Sequence, residues 1–491
     1  MHDSKRGPRD AVTGSWPVPD GHDGGETIVA PATAPGRGGI GVVRISGPAV
    51  RDMAAAILGA APAARRASFS RFLDAEGQAI DAGIAILFAE PASFTGEDVL
   101  ELQGHGGPAV MDLLVRRAIE LGARLARPGE FSERAFLNDK IDLAQAEAVA
   151  DLIGAGSAQA ARAAMRSLEG EFSAEVTALV EVLTDLRVFV EAAIDFPDED
   201  VEFLEGTEVA GRLTDIDARF ARIAQAAGQG RLLRDGLNVV MAGRPNAGKS
   251  SLLNALAGYD AAIVTPIPGT TRDVLRERIH IDGLPVHVID TAGLRETRDL
   301  IEGEGVRRAR GEIARADLVL YVIDASTPPS SAALGAELSQ LPAGVPVIQV
   351  WNKTDLLQEV SGTCLSPDGD RHVPDTDGTT QGDRGASGLS ALYVSALSGR
   401  GLDELRRRIK QRAGYEQAGE GAWSARARHV DALRRAADNL ARARQQLQRR
   451  TGFELVAEEL RLAQRTLGEI TGEVTSEDLL GRIFADFCIG K

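Results

Sequence analysis

The spacing of apolar positions changes character several times along the chain. Residues 26 to about 144 alternate short apolar runs with glycine turns, the texture of a compact α+β module. Ile40-Gly41-Val42-Val43-Arg44-Ile45 and Ala82 to Phe88 predict strands, and Pro108 to Leu121 predicts a helix. From Leu143 to Ala193 the composition turns to Ala, Glu, Leu, Gln and Arg with few breakers. There Ala146, Val149, Ala150 and Ile153 fall on one helical face, as do Val180, Leu183, Leu186 and Val190. Ile194-Asp195-Phe196-Pro197 ends that run, since proline lacks the N–H a helix needs. Another helix is predicted from Glu208 to about Gln225, and helical texture returns over Ala425 to Arg449 and Glu454 to Ile470.

Between these helical stretches the pattern is different. Near-continuous apolar runs at Leu237 to Ala242, Leu284 to Ile289, Leu318 to Ile323, Pro346 to Trp351 and Ala391 to Val394 predict buried parallel strands. The chain therefore divides into an N-terminal extension (1–25), an α+β domain (26–142), an α/β P-loop domain (235–412) and an all-α domain. The last is discontinuous, built from 143–234 and 413–491, because neither flank alone supplies a generous core and insertion at a surface connection is tolerated. Residues 359 to 388, rich in Gly, Asp, Ser and Thr, predict a mobile insertion within the P-loop domain.

The strand ends carry the chemistry. Gly243-Arg244-Pro245-Asn246-Ala247-Gly248-Lys249-Ser250 follows a strand and opens a helix that continues through Ser251. In that context the G-x-x-x-x-G-K-S pattern is a phosphate cradle, with Lys249 reaching the outer phosphates and Ser250 offering its hydroxyl to magnesium. Then come Pro268-Gly269-Thr270-Thr271-Arg272-Asp273, Asp290-Thr291-Ala292-Gly293, Asn352-Lys353-Thr354-Asp355 and Ser395-Ala396. The last three follow strands, at the carboxyl ends where open α/β sheets bind ligands. Asp290 suits a water-mediated magnesium contact, and Gly293 can sense the γ-phosphate.

This ordered set resembles the GTPases of the translation-factor-like branch. The resemblance implies that Asp355 accepts the guanine amino and imino protons, that Asn352 and Lys353 support the base, and that Ser395 and Ala396 close over its carbonyl. A carboxylate suits guanine because adenine lacks that paired donor edge.

Composition bounds the rest. At 491 residues the chain needs two or three domains. A net charge of −16 argues against a broad grip on nucleic acid. Cys364 and Cys488, the two cysteines, give neither a disulfide framework nor a zinc cluster, and a reducing, cytoplasmic setting is the simple reading. No apolar run reaches the roughly 18 residues of a membrane span. The first 25 residues lack the apolar core of a secretory signal.

Stretches outside the P-loop domain narrow the resemblance. They are Ala34 to Gly47 (APGRGGIGVVRISG), Phe94-Thr95-Gly96-Glu97-Asp98, Gly104-His105-Gly106-Gly107, Pro128-Gly129-Glu130-Phe131, Arg134 to Asn138, Asp142 to Ala148 and the terminal Phe487-Cys488-Ile489-Gly490-Lys491. From about residue 26 to the end, the chain resembles the bacterial tRNA-modification GTPase family called MnmE or TrmE, within the TrmE-Era-EngA-like superfamily. The resemblance implies a folate-binding-like fold for the N-terminal domain, which forms a constitutive homodimer, and a GTPase inserted into a helical domain. It implies GTP hydrolysis coupled to modification of C5 of the tRNA wobble uridine with a carboxymethylaminomethyl or aminomethyl group. The partner would be the flavoprotein MnmG (GidA), which carries FAD, in a heterotetramer-like complex. The one-carbon unit would come from 5,10-methylenetetrahydrofolate or a 5-formyltetrahydrofolate analogue.

Residue by residue, the resemblance points to Arg37, Arg44, Glu130 and Lys491 for folate or the dimer seam, with turn geometry and surface pairing as the plainer reading. Cys488 is a candidate in uridine modification, although an apolar tail ordinarily docks as packing. Leu294, after Gly293, cannot orient water, and Glu302 matches the family residue that does so, with Glu296, Asp299 and Glu304 as competitors. The nucleotide-binding set is Asn246, Ala247, Gly248, Lys249, Ser250, Ser251, Thr265, Thr270, Thr271, Asp290, Gly293, Asn352, Lys353, Asp355, Ser395 and Ala396. Magnesium falls to Ser250 and Thr271. Potassium falls to Asn246, Thr265, Ile267 and Thr270, in a loop where Pro266 and Pro268 stand in place of acidic and small residues. A GTP-dependent assembly switch without covalent RNA chemistry, and a folate-dependent metabolic enzyme with a regulatory GTPase, are the alternatives.

Overall fold

The computed structural model describes residues 25–195, 206–258, 276–290, 313, 316–342, 344–357, 364–365, 371–372, 391–415, 421–449, 452–474, 477–485, 487 and 490. The chain forms two compact units, Met1–Ile141 with Glu477–Lys491, and Asp142–Ser476.

In the first unit, β1 (Ile28–Pro31), β2 (Gly38–Ser46), β3 (Ser68–Leu73), β4 (Ala79–Phe88), β5 (Val99–Gly106) and β6 (Arg124–Leu125) make one sheet in the order β3-β4-β5-β2-β1-β6. Alternation along β2 sends Val43 and Ile45 into a core shared with Met53 and Ile57 of α1 (Val50–Leu58) and Leu114 of α2 (Pro108–Glu120). Arg44 consequently faces the opposite side, directly across from Glu101 of β5. The helix α3 (Glu130–Leu137) follows β6.

Glu477–Lys491 belongs with this unit, although the apolar pattern assigns it to the helical domain 413–491. Phe484 of the terminal helix (Glu477–Ala485) packs 6.5 Å from Phe136 of α3 and 5.3 Å from Phe487. The aromatic residues of the tail are buried here, so long-range packing overrides chain proximity.

In the second unit, α4 (Leu143–Ile153), α5 (Ala158–Leu168), α6 (Glu171–Asp195) and α7 (Gly206–Asp235) precede the sheet. Asp142 starts α4 with a capping box to Gln145. Leu183, Leu186 and Val190 of α6 share a core with Leu213, Ile216 and Phe220 of α7 and with Leu433, Leu440, Leu460 and Leu467 from the two returning helices, Ala427–Arg449 and Phe453–Thr471. The helix α7 continues to Asp235, beyond the predicted end near Gln225. Glycines at 228 and 230 cost helix propensity, but Ala227 and Leu233 bury their side chains on either side of them.

The inserted sheet contains β7 (Leu237–Ala242), β8 (Arg276–Ile281), β9 (Leu284–Asp290), β10 (Leu318–Asp324), β11 (Val347–Asn352) and β14 (Ala391–Tyr393), while β12 (Cys364–Leu365) and β13 (Arg371–His372) pair separately. Its order is β14-β11-β10-β7-β9-β8. The pairings are parallel except β8 on β9. The edge strand β8 escapes the apolar pattern because Arg276, Glu277, Arg278 and His280 occupy most of it. Chain order reverses about β7, which lies between β9 and β10. The crevice at that switch point is where a ligand fits an open α/β sheet.

Candidate functional site

Among the described residues, loops leave the carboxyl ends of β7, β10, β11 and β14. Buried Val239, Val240 and Met241 anchor β7, and the chain then turns through Gly243 (φ 135°), Asn246 (φ 62°) and Gly248 (φ 88°). A Cβ on Gly243 would sit 2.2 Å from the Val322 carbonyl oxygen, and one on Gly248 would sit 2.4 Å from Asn352 Nδ2. Both positions combine left-handed geometry with close approach, so a side chain fits neither. The helix α8 (Lys249–Ala257) starts immediately afterwards. Its N-terminal N–H groups and the preceding turn make an anion-binding concavity. Lys249 is buried, and its ammonium donates to the carbonyls of Gly243 (3.2 Å) and Arg244 (3.0 Å). Asn246, Ser250 and Ser251 are exposed at the rim, while Ala247 is buried beneath it. Arg244 is tied outside the cradle to Glu337, 2.7 Å away, and the Tyr321 hydroxyl donates to the same carboxylate.

The cradle is joined to the second loop by one side chain. Asn352, 1% exposed at the end of β11, donates from Nδ2 to the Ala247 carbonyl (3.2 Å) and lies 3.4 Å from that of Gly248. Its Oδ1 accepts the Ala396 backbone N–H at 3.1 Å. One buried amide therefore fixes the phosphate loop, the β11 end and the β14 end together. Lys353 follows at φ 66° and places its ammonium 2.7 Å from Asp324, at the end of β10. Burial pushes the Asp324 carboxyl up, but the hydrogen bonds from Lys353 and Ser326 outweigh this and hold it below the usual carboxylate range.

Asp355 is exposed, with one oxygen accepting the hydroxyl of fully buried Ser395 at 2.5 Å. That hydroxyl oxygen accepts the Ser398 N–H in turn. The carboxylate is thus oriented from below with its outer face open to a paired donor. Thr354 reinforces the loop through the Val394 carbonyl at 3.0 Å. An anion cradle and an oriented carboxylate at neighbouring strand ends fit a molecule with phosphates at one end and a donor edge at the other.

The structure thus brings together Asn246, Ala247, Gly248, Lys249, Ser250 and Ser251 with Asn352, Lys353, Asp355, Ser395 and Ala396. Asp290 closes β9, paired with Met241 of β7. Thr265, Ile267, Thr270, Thr271, Gly293, Glu302, Cys488 and Lys491 lie outside the described residues. Asp324 is the member that sequence reasoning left without a role. Its signal was its place at the end of an apolar strand, the same signal that marked Asp290. Among the described residues, no group of three or more His, Cys, Asp and Glu could hold a metal ion. A magnesium held by the Ser250 hydroxyl and phosphate oxygens needs no such group. No helix of the described residues is long and apolar enough to cross a membrane.

In the first unit the candidates fall into two states. Arg37 is exposed on the turn before β2. Arg44 pairs with Glu101 (2.8 Å) and lies 5.8 Å from the ring centres of both Phe94 and Phe131. Glu130, 1% exposed, accepts from two Arg124 nitrogens (2.8 and 2.6 Å), from the Arg127 N–H (2.8 Å) and from Arg134 (3.1 Å). Burial works against its charge, but these donors prevail and hold its carboxyl at about 2, below the ordinary 4.5. Both oxygens are already engaged.

The chain is similar to known proteins along most of its length. Residues 27–140 match the family model for the GTP-binding protein TrmE N-terminus, and 143–488 match that for the MnmE helical domain. A tRNA modification GTPase MnmE from Pseudomonas syringae pv. tomato is 56% identical over 470 residues, covering 95% of this chain and 99% of that protein. One from Yersinia pseudotuberculosis is 54% identical with the same coverage. Among solved structures, the G domain of the T. maritima FeoB iron transporter aligns with 36% of this chain and 98% of its own at 25% identity, with a TM-score of 0.26.

Proposed function

The chain belongs to the MnmE/TrmE family of tRNA modification GTPases, and we propose that its GTP site is the one assembled by Asn352 between the phosphate loop and the base loop. It is a GTP hydrolase acting in modification of C5 of the tRNA wobble uridine, the function of its family. The observation that carries this reading at the level of residues is the buried Asn352 amide, which holds cradle and Asp355 loop in one register.

In this reading Lys249 exchanges its loop carbonyls for the outer phosphates, and the N–H groups of Gly248 to Ser250 receive their oxygens. Ser250 and Thr271 would supply hydroxyls to a magnesium ion, whose charge would offset that of the phosphates. Asp355 reads the guanine edge, while Lys353, held by Asp324, lies along the base. Asn246, Thr265, Ile267 and Thr270 would hold potassium by side-chain and carbonyl oxygens, and the exposed, left-handed Asn246 suits that role. Glu302 orients water. Glu302→Ala should suppress turnover while GTP binding, read by calorimetry, is retained. Potassium should accelerate hydrolysis more than sodium, and equal rates would remove the ion from the mechanism.

Folate, the homodimer, tRNA and the flavoprotein MnmG complete the reading as partners. Among the folate candidates, Arg37 and Lys491 remain as ligand contacts, and Arg44 serves through its placement against Phe94 and Phe131. Glu130 instead holds Arg124 and Arg134 in place. Cys488 is retained as a candidate in the uridine chemistry. Reconstitution with MnmG, FAD, a folate one-carbon donor and tRNA, followed by nucleoside mass spectrometry, tests the whole. A C5-aminomethyl-type uridine formed only with GTP is expected. Unmodified tRNA alongside normal GTP turnover would favour the assembly-switch reading.

A further inference from the structure

The inserted GTPase is reached by one connection and left by another. The helix α7 leads in, and residues 421–426 lead back to the helical domain. These two segments cross in direct backbone contact, since a Cβ on Gly230 of α7 would meet the Trp423 carbonyl oxygen at 1.5 Å. Beside the crossing, Asp151 in the last turn of α4 has a side chain only 6% exposed. It accepts from Arg234 Nε at 2.7 Å on the entering side. On the returning side it accepts from Ser424 Oγ at 2.6 Å and Arg426 Nη2 at 3.0 Å. The neighbouring helix α5 grips the same returning segment: the Ala163 carbonyl accepts the Ser424 N–H, and Ser167 donates to the Ser424 carbonyl, both at 3.1 Å. It also meets the tip of the β8–β9 hairpin, where a Cβ on Gly283 would lie 2.4 Å from Gln159 Cδ.

A carboxylate buried this way is seldom the most stable choice, because apolar residues of similar volume commonly do better. What it provides is a fixed geometry among groups that arrive from different directions. Asp151 gathers its partners from both ends of the inserted domain.

We propose that Asp151 is a positioning residue that locks the two connections of the GTPase domain to α4, giving that domain one orientation on the helices. A displacement begun at the nucleotide and passed along the β8–β9 hairpin then reaches α4 and α5 instead of dissipating at a loose hinge. The orientation is a property of the chain alone. Its consequence for product formation rests on the functional reading above.

The test uses the full-length chain. Spin labels at Glu181→Cys on α6 and Ser339→Cys, at the end of the helix Ser331–Leu338 of the GTPase domain, in a Cys364→Ser, Cys488→Ser background, report the orientation of the GTPase domain with GDP bound. Asp151→Asn, which keeps the size but removes the charge, should make the inter-label distance distribution about twice as broad. With native cysteines, the same variant should keep kcat and KM for GTP close to wild type, while modified uridine per GTP hydrolysed falls about fivefold or more. Arg234→Gln and Ser424→Ala open one arm each and should move both readouts in the same direction, so they carry the test if Asp151→Asn does not fold. An unchanged distance distribution in these variants overturns the proposal, and so does an unchanged yield per GTP against an active wild type. Absence of product from wild type would count against the functional reading alone, since the label distances involve no tRNA.

Discussion

Asp355 and Glu130 are both carboxylates singled out by motif, and the structure gives them opposite surroundings. Asp355 is exposed, held by one buried hydroxyl, with its outer face turned to solvent at a strand end. Glu130 is 1% exposed and surrounded by donors from Arg124, Arg127 and Arg134. A ligand can compete for the first at the cost of water, whereas reaching the second means displacing charge-assisted hydrogen bonds. The same contrast separates the regions around them. The GTPase strand ends orient polar groups from beneath and leave capacity for a guest, while the arginine cage of the N-terminal unit spends its capacity on itself. A motif residue is best read as a binding group by how many of its bonds the protein has left to make.

Substitutions sharpen or break this comparison. The largest effect is expected from Asp355→Asn, where preference for guanosine over xanthosine nucleotide should fall by about 10⁴-fold, the scale on which a site built to hydrogen-bond one substrate edge rejects an analogue that lacks it. Competitive titration measures it, and retained guanine preference would break the assignment. Next, Asn352→Ala removes the amide linking the two loops. With each lost bond worth about 1 kcal/mol, GTP affinity should drop roughly 30-fold or more, read by calorimetry. If affinity holds, the loops are positioned by other contacts.

Glu130→Gln should leave GTP binding untouched and destabilise the N-terminal unit by about 3 kcal/mol, because it removes the charge that pairs buried Arg134 and partly buried Arg124. Its pH dependence has a defined sign. The folded carboxyl lies at about 2 against an ordinary 4.5, so its contribution is present above 4.5 and lost as pH falls from 4.5 towards 2. The gap between wild-type and Glu130→Gln urea midpoints should therefore narrow over that window. A constant gap would mean that shape, not charge, sets the effect. The smallest change is expected from Lys353→Met, whose half-exposed pair with Asp324 should be worth about 1 kcal/mol or less, seen as a few-fold rise in the GTP dissociation constant.

The helical segments from Leu143, the buried strands and their terminal motifs were legible because each rests on local periodicity or a short spacing. β8 was not, since an edge strand carrying Arg276, Glu277 and Arg278 shows no apolar run. The full length of α7 was not, because Gly228 and Gly230 read as breakers until the returning chain is seen to need Gly230. The role of Asp324 as the anchor of Lys353 was hidden for a similar reason: the partners lie on adjacent strands, 29 residues apart.

What the chain determined by itself was the identity and order of its chemical groups. Glycines stand where the backbone turns left-handed, a lysine and serine open a helix, and an aspartate follows a buried strand, all set by steric rules that act within a few residues. Tertiary structure decided which of those groups stay available. It placed the terminal helix against α3, gave Glu130 to the arginines and left Asp355 facing outward. It also drew both connections of the inserted domain onto Asp151. Burial and long-range pairing depend on what packs alongside, and no local spacing carries that information.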